Sequence, residues 1–232
     1  MSELMNDVET GTLEWSVIQA RGADSESFLQ GQLSQDLTNL DEGGTWSLLL
    51  APDSVVVTSC FVKPVENGFD LFVPRALGDG AAKRLKRFLL RAKCTLDVVN
   101  ASEGPFATLD ELIDRGWPSE KEFAKSLTPH SFGRAFVDAT ISFQKGCFTG
   151  QELVGRLDAR GSSVPWRFVR VSAPSIERAE NALKSKGPEG PQGVTSATTR
   201  DGRFVGLGIA HRTLLSAPTS GDDAEVAIEE ID

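Results

Sequence analysis

Three short extended segments follow one another in the first third of the chain, and they constrain the fold more than any other feature. Residues 45–51, 54–63 and 68–74 are rich in Val, Leu and Phe, and Pro and an Asn-Gly pair separate them. Apolar runs of this length, bounded by turn residues, are typical of β-strands. The pattern therefore predicts a β-meander, flanked by further strands at 13–20 and 94–100.

Helical periodicity is clearest at residues 77–92, where apolar side chains recur at helical spacing: Leu77, Ala81, Leu85, Phe88, Leu89 and Ala92. Five cations between 83 and 91 cover the rest of this helix. A solvated amphipathic helix is the favoured interpretation, ahead of a nucleic-acid contact. Weaker helices are predicted at 110–116 and 120–127, and residues 134–143 are predicted to be extended.

The second half of the chain is predicted to contain both helices and strands. A helix is expected from Gln151 to about Arg160, a strand at 164–173 and an amphipathic helix at 175–186. Two further strands, 193–200 and 203–210, are joined by Asp201-Gly202, a strong hairpin signal. The order predicts an α+β unit followed by a small β-barrel-like unit.

Charge and composition divide the chain further. Residues 217–232 hold six acids and no base, and the first fourteen hold four acids and no base, which leaves the body close to neutral. Acidic ends of this kind are expected to be solvated. We therefore predict an acidic flexible N-terminus at 1–12, an α+β region at 13–160, a small barrel-like subdomain at 161–216 and an acidic disordered tail at 217–232.

Cysteine usage and hydropathy point to a cytoplasmic protein. The three cysteines are widely spaced and form no Cys-x-x-Cys pair, and only two histidines occur, so neither a disulfide framework nor a metal site is expected. No run of eighteen apolar residues is present, and the acidic start does not resemble a signal peptide.

Unusual chemistry is concentrated in residues 145–156, which read Lys-Gly-Cys-Phe-Thr-Gly-Gln-Glu-Leu-Val-Gly-Arg. Gly146 and Gly150 bracket Cys147, and glycines permit a tight turn that can expose a thiol at its tip. Glu152 and Arg156 lie one helical turn apart and can pair. From the residues alone, a buried apolar cysteine and an ordinary surface salt bridge remain open.

The run Lys-Gly-Cys-Phe-Thr-Gly-Gln-Glu-x-x-x-Arg resembles the signature of the YgfZ-type folate-binding proteins, relatives of the glycine-cleavage aminomethyltransferase. The segment from Gly22-Ala23-Asp24 to Asp36, the Thr128-Pro129 pair and the glycine-rich hairpin before Arg212 are also similar to that family. The likeness spans about residues 13–215.

This resemblance implies an α+β aminomethyltransferase-like fold, with small subdomains around a central channel that accepts tetrahydrofolate. Two of these subdomains would be intertwined within residues 13–160. It implies an accessory role in assembly or repair of iron–sulfur clusters in client enzymes, including some that modify tRNA, with Cys147 as the functional thiol. Aminomethyltransferases carry an acidic pair on the strand that aligns with Ser54–Val62, where this chain has Thr58-Ser59. Since hydroxyls cannot replace carboxylates in acid–base work, classical turnover is not expected.

Six residues are candidates for folate contacts. A pterin needs a carboxylate or amide partner, and the glutamate tail needs cations. The candidates are Lys145, Gln151, Glu152, Arg156, Arg167 and Asp36. Helix capping for Gln151 and Glu152, a strand-face position for Arg167 and structural hydrogen bonding for Asp36 are the alternatives.

Two other functions remain open. One is a folate-dependent aminomethyl or one-carbon transferase, and the other is a protein- or tRNA-binding module that uses the basic helix at 83–93 and has lost folate. The expected partners are a reduced folate and iron–sulfur client or assembly proteins. No DNA or membrane partner is expected, and a tRNA contact is left open.

Overall fold

A computed structural model describes residues 11–161, 163–216 and 225–232. The first half of the chain forms a five-stranded antiparallel sheet in the order β2-β3-β4-β1-β5. Its strands are β1 (Trp15–Arg21), β2 (Thr45–Leu50), β3 (Val56–Val65), β4 (Gly68–Pro74) and β5 (Thr95–Ala101). The three consecutive neighbours β2, β3 and β4 confirm the predicted meander.

Six helices accompany this sheet. They are α1 (Ser25–Gln32), α2 (Gly78–Lys86), α3 (Leu109–Arg115), α4 (Glu120–Phe123), α5 (Arg134–Thr140) and α6 (Gln151–Ala159). Short 3-10 helices at Arg75–Leu77 and Pro129–Phe132 precede α2 and α5. In the part of the chain that the structure describes, no helix is long and apolar enough to cross a membrane.

A second antiparallel sheet, of order β7-β8-β6-β9, follows in the last third of the chain. Its elements are β6 (Trp166–Ala173), α7 (Ile176–Lys184), β7 (Gly193–Arg200), β8 (Arg203–His211), α8 (Arg212–Leu215) and β9 (Ala227–Glu230). The β7–β8 hairpin turns at Asp201-Gly202, as predicted. The sheet stays open, because no pairing joins β7 to β9 among the described residues, so the expected barrel-like closure is not seen.

Three apolar clusters order these elements into layers. One cluster lies on the face of the first sheet that α1 and α2 cover, and includes Leu29, Leu49 and Leu85. The largest lies between the two sheets and joins Leu48 of β2 to Phe168 of β6. The third packs α7 on the outer face of the second sheet. Leu48 and Leu49 fall in different clusters because successive side chains of a strand point to opposite faces.

Two element predictions were wrong. Residues 134–140 form α5 instead of a strand, since Phe136 and Thr140 are buried one helical turn apart while Arg134 and Asp138 pair on the outer face. Helix α2 ends at Lys86 instead of near residue 92, because Leu85 is its last fully buried apolar side chain and Phe88 faces solvent.

The predicted disordered tail, residues 217–232, also differs from the structure at its end. Residues 217–224 lie outside the described residues, but β9 pairs with β6 through Val169–Ser172. Val226 and Ile228 alternate with the exposed residues Glu225, Ala227 and Glu229 and pack in the outer cluster of the second sheet. Counting acids alone missed this alternation of apolar and exposed positions.

Candidate functional site

Cys147 lies at the exposed tip of the segment that links α5 to α6, which we call the thiol loop (residues 142–150). Two backbone hydrogen bonds attach the loop to α1 and the turn after it, from Ser142 N to Ser34 O (3.1 Å) and from Thr149 N to Gly31 O (3.1 Å). The other two thiols differ, because Cys60 is buried, which raises its pKa to about 12, and Cys94 is partly buried. Cys147 is the thiol that a partner molecule can reach.

Lys145 anchors the same loop from within. Its Nζ donates to Leu33 O (2.7 Å) and Gln35 O (2.9 Å) and lies 5.4 Å from the ring centre of Phe148. Burial lowers the pKa of Lys145 to about 8, and the nearby Asp36 carboxylate partly opposes that shift. The ammonium thus binds two backbone carbonyls of the segment that follows α1, and these bonds hold the thiol loop against that segment.

The remaining residues of the motif begin α6. The Gln151 side chain accepts from Phe148 N (3.2 Å), so it holds the turn that carries Cys147. Glu152 and Arg156 form an ion pair whose two side chains are 79% and 62% exposed. Lys145, Gln151 and Glu152 line one shallow cavity of about 280 Å³ beside the loop.

Asp36 and Arg167, the other two predicted contacts, do not line this cavity. The exposed Asp36 carboxylate accepts from Thr38 N (3.0 Å) and Gln30 Nε2 (2.6 Å), and these bonds lower its pKa. Arg167 on β6 pairs with Glu230 at 3.4 Å across the second sheet. The structure therefore brings Lys145, Gln151 and Glu152 together and places Arg167 in a different cavity. Their contacts with folate remain predictions.

An aromatic cavity of about 610 Å³ was not foreseen from the sequence. Trp46 of β2 lies at its centre, with ring centres 4.4 Å from Trp117 and 5.6 Å from Phe106, and Phe61 and Phe136 add further rings. Charged side chains complete its lining: Lys63, Glu111, Arg115 and Asp232. These rings come from separate segments of the chain, so no local pattern could have predicted the cavity.

The hydroxyl pair Thr58-Ser59 lies behind one wall of this cavity. Both residues are buried on β3, and Trp117 Nε1 donates to Ser59 Oγ at 3.4 Å. Thr58 Oγ1 donates to Ser59 O at 2.8 Å, so its hydroxyl is used within the strand. The side chains of Thr58 and Ser59 thus both have hydrogen-bond partners within the fold.

Two aromatic residues in or near the motif, Phe148 and Trp166, pack against other partners. Trp166 meets the ring of His211 edge-on, with centres 5.0 Å apart, and Phe148 belongs to the core between the sheets. Neither lines the aromatic cavity. Trp46 and Trp117, which do line it, are isolated tryptophans in the sequence, and no neighbouring pattern marks them as cavity residues.

A third cavity, of about 480 Å³, is lined by His130, Arg134, Asp158 and Arg167 near the end of β9. His130 is 2% exposed, and neither ring nitrogen has a hydrogen-bond partner among the described residues. Burial lowers the His130 pKa; Asp158 opposes the shift, whereas Arg134 and Arg167 add to it. Among the residues that the structure describes, no group of three or more His, Cys, Asp or Glu could hold a metal ion.

The two-sheet fold resembles that of a solved structure. It is similar to the crystal structure of glycine cleavage system aminomethyltransferase T from Bartonella henselae, with a TM-score of 0.54 and 13% sequence identity. The likeness covers 88% of this chain and 80% of that chain. The chain therefore has an aminomethyltransferase T-like fold.

Comparison at the level of sequence adds one relative. An uncharacterized protein of Haemophilus influenzae (strain ATCC 51907 / DSM 11121 / KW20 / Rd) is 22% identical, over 67% of this chain and 70% of that protein. No model of a known protein family matches the sequence.

Proposed function

We propose that this protein binds tetrahydrofolate in the aromatic cavity and supports the assembly or repair of iron–sulfur clusters in client enzymes through Cys147. The observation that carries the proposal is the pairing of an aminomethyltransferase T-like fold with buried hydroxyls, Thr58 and Ser59, where catalytic acids are expected. A protein that keeps the fold and lacks the acids is suited to binding a folate without classical turnover.

Size and chemistry favour the aromatic cavity as the folate site. Its volume of about 610 Å³ lies within the range of small-molecule sites, roughly 300–1,000 Å³, whereas the cavity beside the thiol loop, at about 280 Å³, lies below it. The rings of Trp46 and Trp117 suit a flat pterin or aminobenzoyl group. Lys63 and Arg115 are exposed cations that suit the tail carboxylates.

Glu111 is the carboxylate that suits the pterin. One of its oxygens accepts from Ala107 N at 2.9 Å, and the other carries no hydrogen bond among the described residues. That free oxygen can accept from a pterin amino group or ring N–H. Bound tetrahydrofolate would supply a one-carbon carrier, while this chain's residues bind and orient it.

The position of Cys147 suits a role with a partner protein. Cys147 does not line the aromatic cavity. Trp46, which does, lies near the start of β2, about 13 Å from Leu50 at the end of the strand at the usual rise per residue. Gly150 of the thiol loop lies against Leu50, at the far end from Trp46. The proposal therefore assigns folate and thiol to separate ends of one strand.

Titration calorimetry with tetrahydrofolate tests the folate site. We expect micromolar binding, weakened about tenfold or more in Lys63→Gln/Arg115→Gln because two charge-assisted bonds to the tail are lost. Arg156→Gln, an exposed arginine beside the thiol loop, is the control and should bind as the wild type does. Weakening by Arg156→Gln alone would move the site to the thiol loop, and no binding at all would reject the folate proposal.

Complementation tests the role of the thiol. In cells that lack this protein, the wild-type chain should restore the activity of the affected iron–sulfur enzymes, and Cys147→Ser should not. Cys94→Ser, at a partly buried thiol, is the matched control. Full restoration by Cys147→Ser, or catalytic aminomethyl transfer by the purified protein, would contradict this function.

A further inference from the structure

A basic surface follows from the end of α2, and we define it as residues 83–93. Six cations lie in these eleven residues, with no acid among them: Lys83, Arg84, Lys86, Arg87, Arg91 and Lys93. Ala81, Ala82 and Leu85 face the sheet, so the three cations of α2 lie outside the packed face of the helix. Five of the six side chains are exposed and Arg84 is half-buried.

The charge of this surface is not neutralised within the part of the chain that is described. None of the six cations takes part in a salt bridge there. Asp24 approaches the surface, but its carboxylate accepts from the backbone N–H of Lys93 at 2.7 Å. By contrast, Arg21, Arg134 and Arg200 each have a carboxylate partner.

Two large apolar side chains project from the middle of the same surface. Phe88 is 46% exposed and Leu90 is 88% exposed, in the turn that carries the chain from α2 to β5. Leu85 and Leu89, their sequence neighbours, pack instead against the cluster beneath. Phe88 and Leu90 thus project from this segment, and exposed cations, Arg87 and Arg91, flank them in the sequence.

We propose that the basic surface docks this protein on membranes rich in anionic phospholipid. The six cations would lie among the headgroups, while Phe88 and Leu90 would insert at the boundary with the acyl chains. Short basic segments with exposed Phe and Leu bind membrane interfaces in this way, and each cation near an anionic surface adds to the attraction. This departs from the sequence-based expectation of no membrane partner.

The shape of the surface favours lipid over a nucleic acid or an acidic protein. RNA phosphates would account for the cations and an RNA base could stack on Phe88, but Leu90 has no ring to stack. An acidic protein would need a pocket shaped for Leu90, whose exposed fraction of 88% marks an apex and not a groove. A bilayer is soft, so it accepts a projecting apolar side chain without a preformed pocket.

Vesicle flotation of the full chain tests the proposal, independently of folate binding. We expect binding to vesicles that contain about 30 mol% phosphatidylglycerol and none to pure phosphatidylcholine. Lys86→Glu/Arg87→Glu should weaken binding more than about twentyfold, because each cation contributes about fivefold. Phe88→Ser/Leu90→Ser keeps the charge and should weaken it about tenfold or more by removing the inserted groups.

Arg178→Glu/Lys186→Glu is the matched control, since both residues are exposed on or beside α7 and the change in net charge is the same. It should bind vesicles as the wild type does. Equal losses in the two charge-reversed variants would overturn the proposal, as would absence of binding to anionic vesicles. Binding of a short single-stranded RNA, measured by anisotropy, without vesicle binding would overturn the lipid assignment. Circular dichroism confirms that each variant is folded.

Discussion

At the residue scale, burial lowers the pKa of His130, which the composition of the chain could not have predicted. The sequence contains two histidines; one is half-buried and caps α8, while the other is buried with both ring nitrogens unpaired among the described residues. Nothing in the neighbouring sequence distinguishes them. The difference arises because His130 lies where Pro129–Phe132 packs against β6 and α6, a contact between distant segments.

Stability should fall at mildly acid pH because of His130. Burial lowers its pKa in the folded chain, so below about pH 6.5 the unfolded chain takes up this proton first. The free energy of unfolding should therefore decrease as the pH falls below that value, and His130→Gln should flatten the dependence. Urea denaturation at a series of pH values measures it. His211→Gln is the control, and equal flattening by both variants would contradict the assignment.

At the scale of elements, contacts with the β2–β3 turn hold the thiol loop at the start of α6. Gly150 precedes α6 with φ of +81°, and a Cβ there would lie 2.5 Å from Ala51 O. The Ser54 hydroxyl donates to Gly150 O, so the β2–β3 turn fixes the start of α6. The motif spacing predicted a turn with Cys147 at its tip. The structure shows in addition that the β2–β3 turn holds this thiol loop at Gly150.

Gly150→Ala should therefore destabilise the protein by about 1–3 kcal/mol, through the left-handed backbone and the clash with Ala51 O. Urea denaturation gives the magnitude. Gly146→Ala is the control in the same loop, because its Cβ would have open space and its φ is not positive. Similar losses in both variants would contradict the role given to Gly150.

Strands and hairpins were predicted better than helices in this chain. The five strands of the first sheet and the β7–β8 hairpin are where the alternation and turn residues placed them, because those signals are local. Helix α5 was missed because Phe136 and Val137 are compatible with a strand until the neighbouring β2 fixes which face is buried. The aromatic cavity and the strand β9 depend on contacts across the whole chain, which a local pattern does not contain.

A buried carboxylate joins the two sheets at the scale of the whole molecule. Glu122 at the start of α4 is fully buried; one oxygen accepts from Ser119 N (2.6 Å) and the other from the hydroxyl of Thr195 on β7. Ser196 adds a weaker contact at 3.4 Å. These bonds therefore connect the first turn of α4 to β7 of the second sheet.

Glu122→Ala should cost about 2–4 kcal/mol, since it leaves the buried Ser119 N–H without its acceptor and opens a cavity beside α4. Glu122→Gln should cost less than about 1.5 kcal/mol, because its carbonyl can face Ser119 N while the Thr195 hydroxyl rotates toward Leu207 O. Thermal unfolding of both variants measures the difference. Glu120→Ala, the neighbouring acid, is the control; equal costs for the two Glu122 variants would contradict this account.

The strand β9 has a consequence for how the molecule behaves at high concentration. Without it, β6 would be an edge strand with the unpaired backbone groups that recruit other chains into aggregates. With β9 in place, the outermost strand on that side is four residues long and bears Glu229 and Glu230, both exposed. A short edge that carries like charges repels a second copy of itself, so this acidic strand protects the protein from fibril-like assembly.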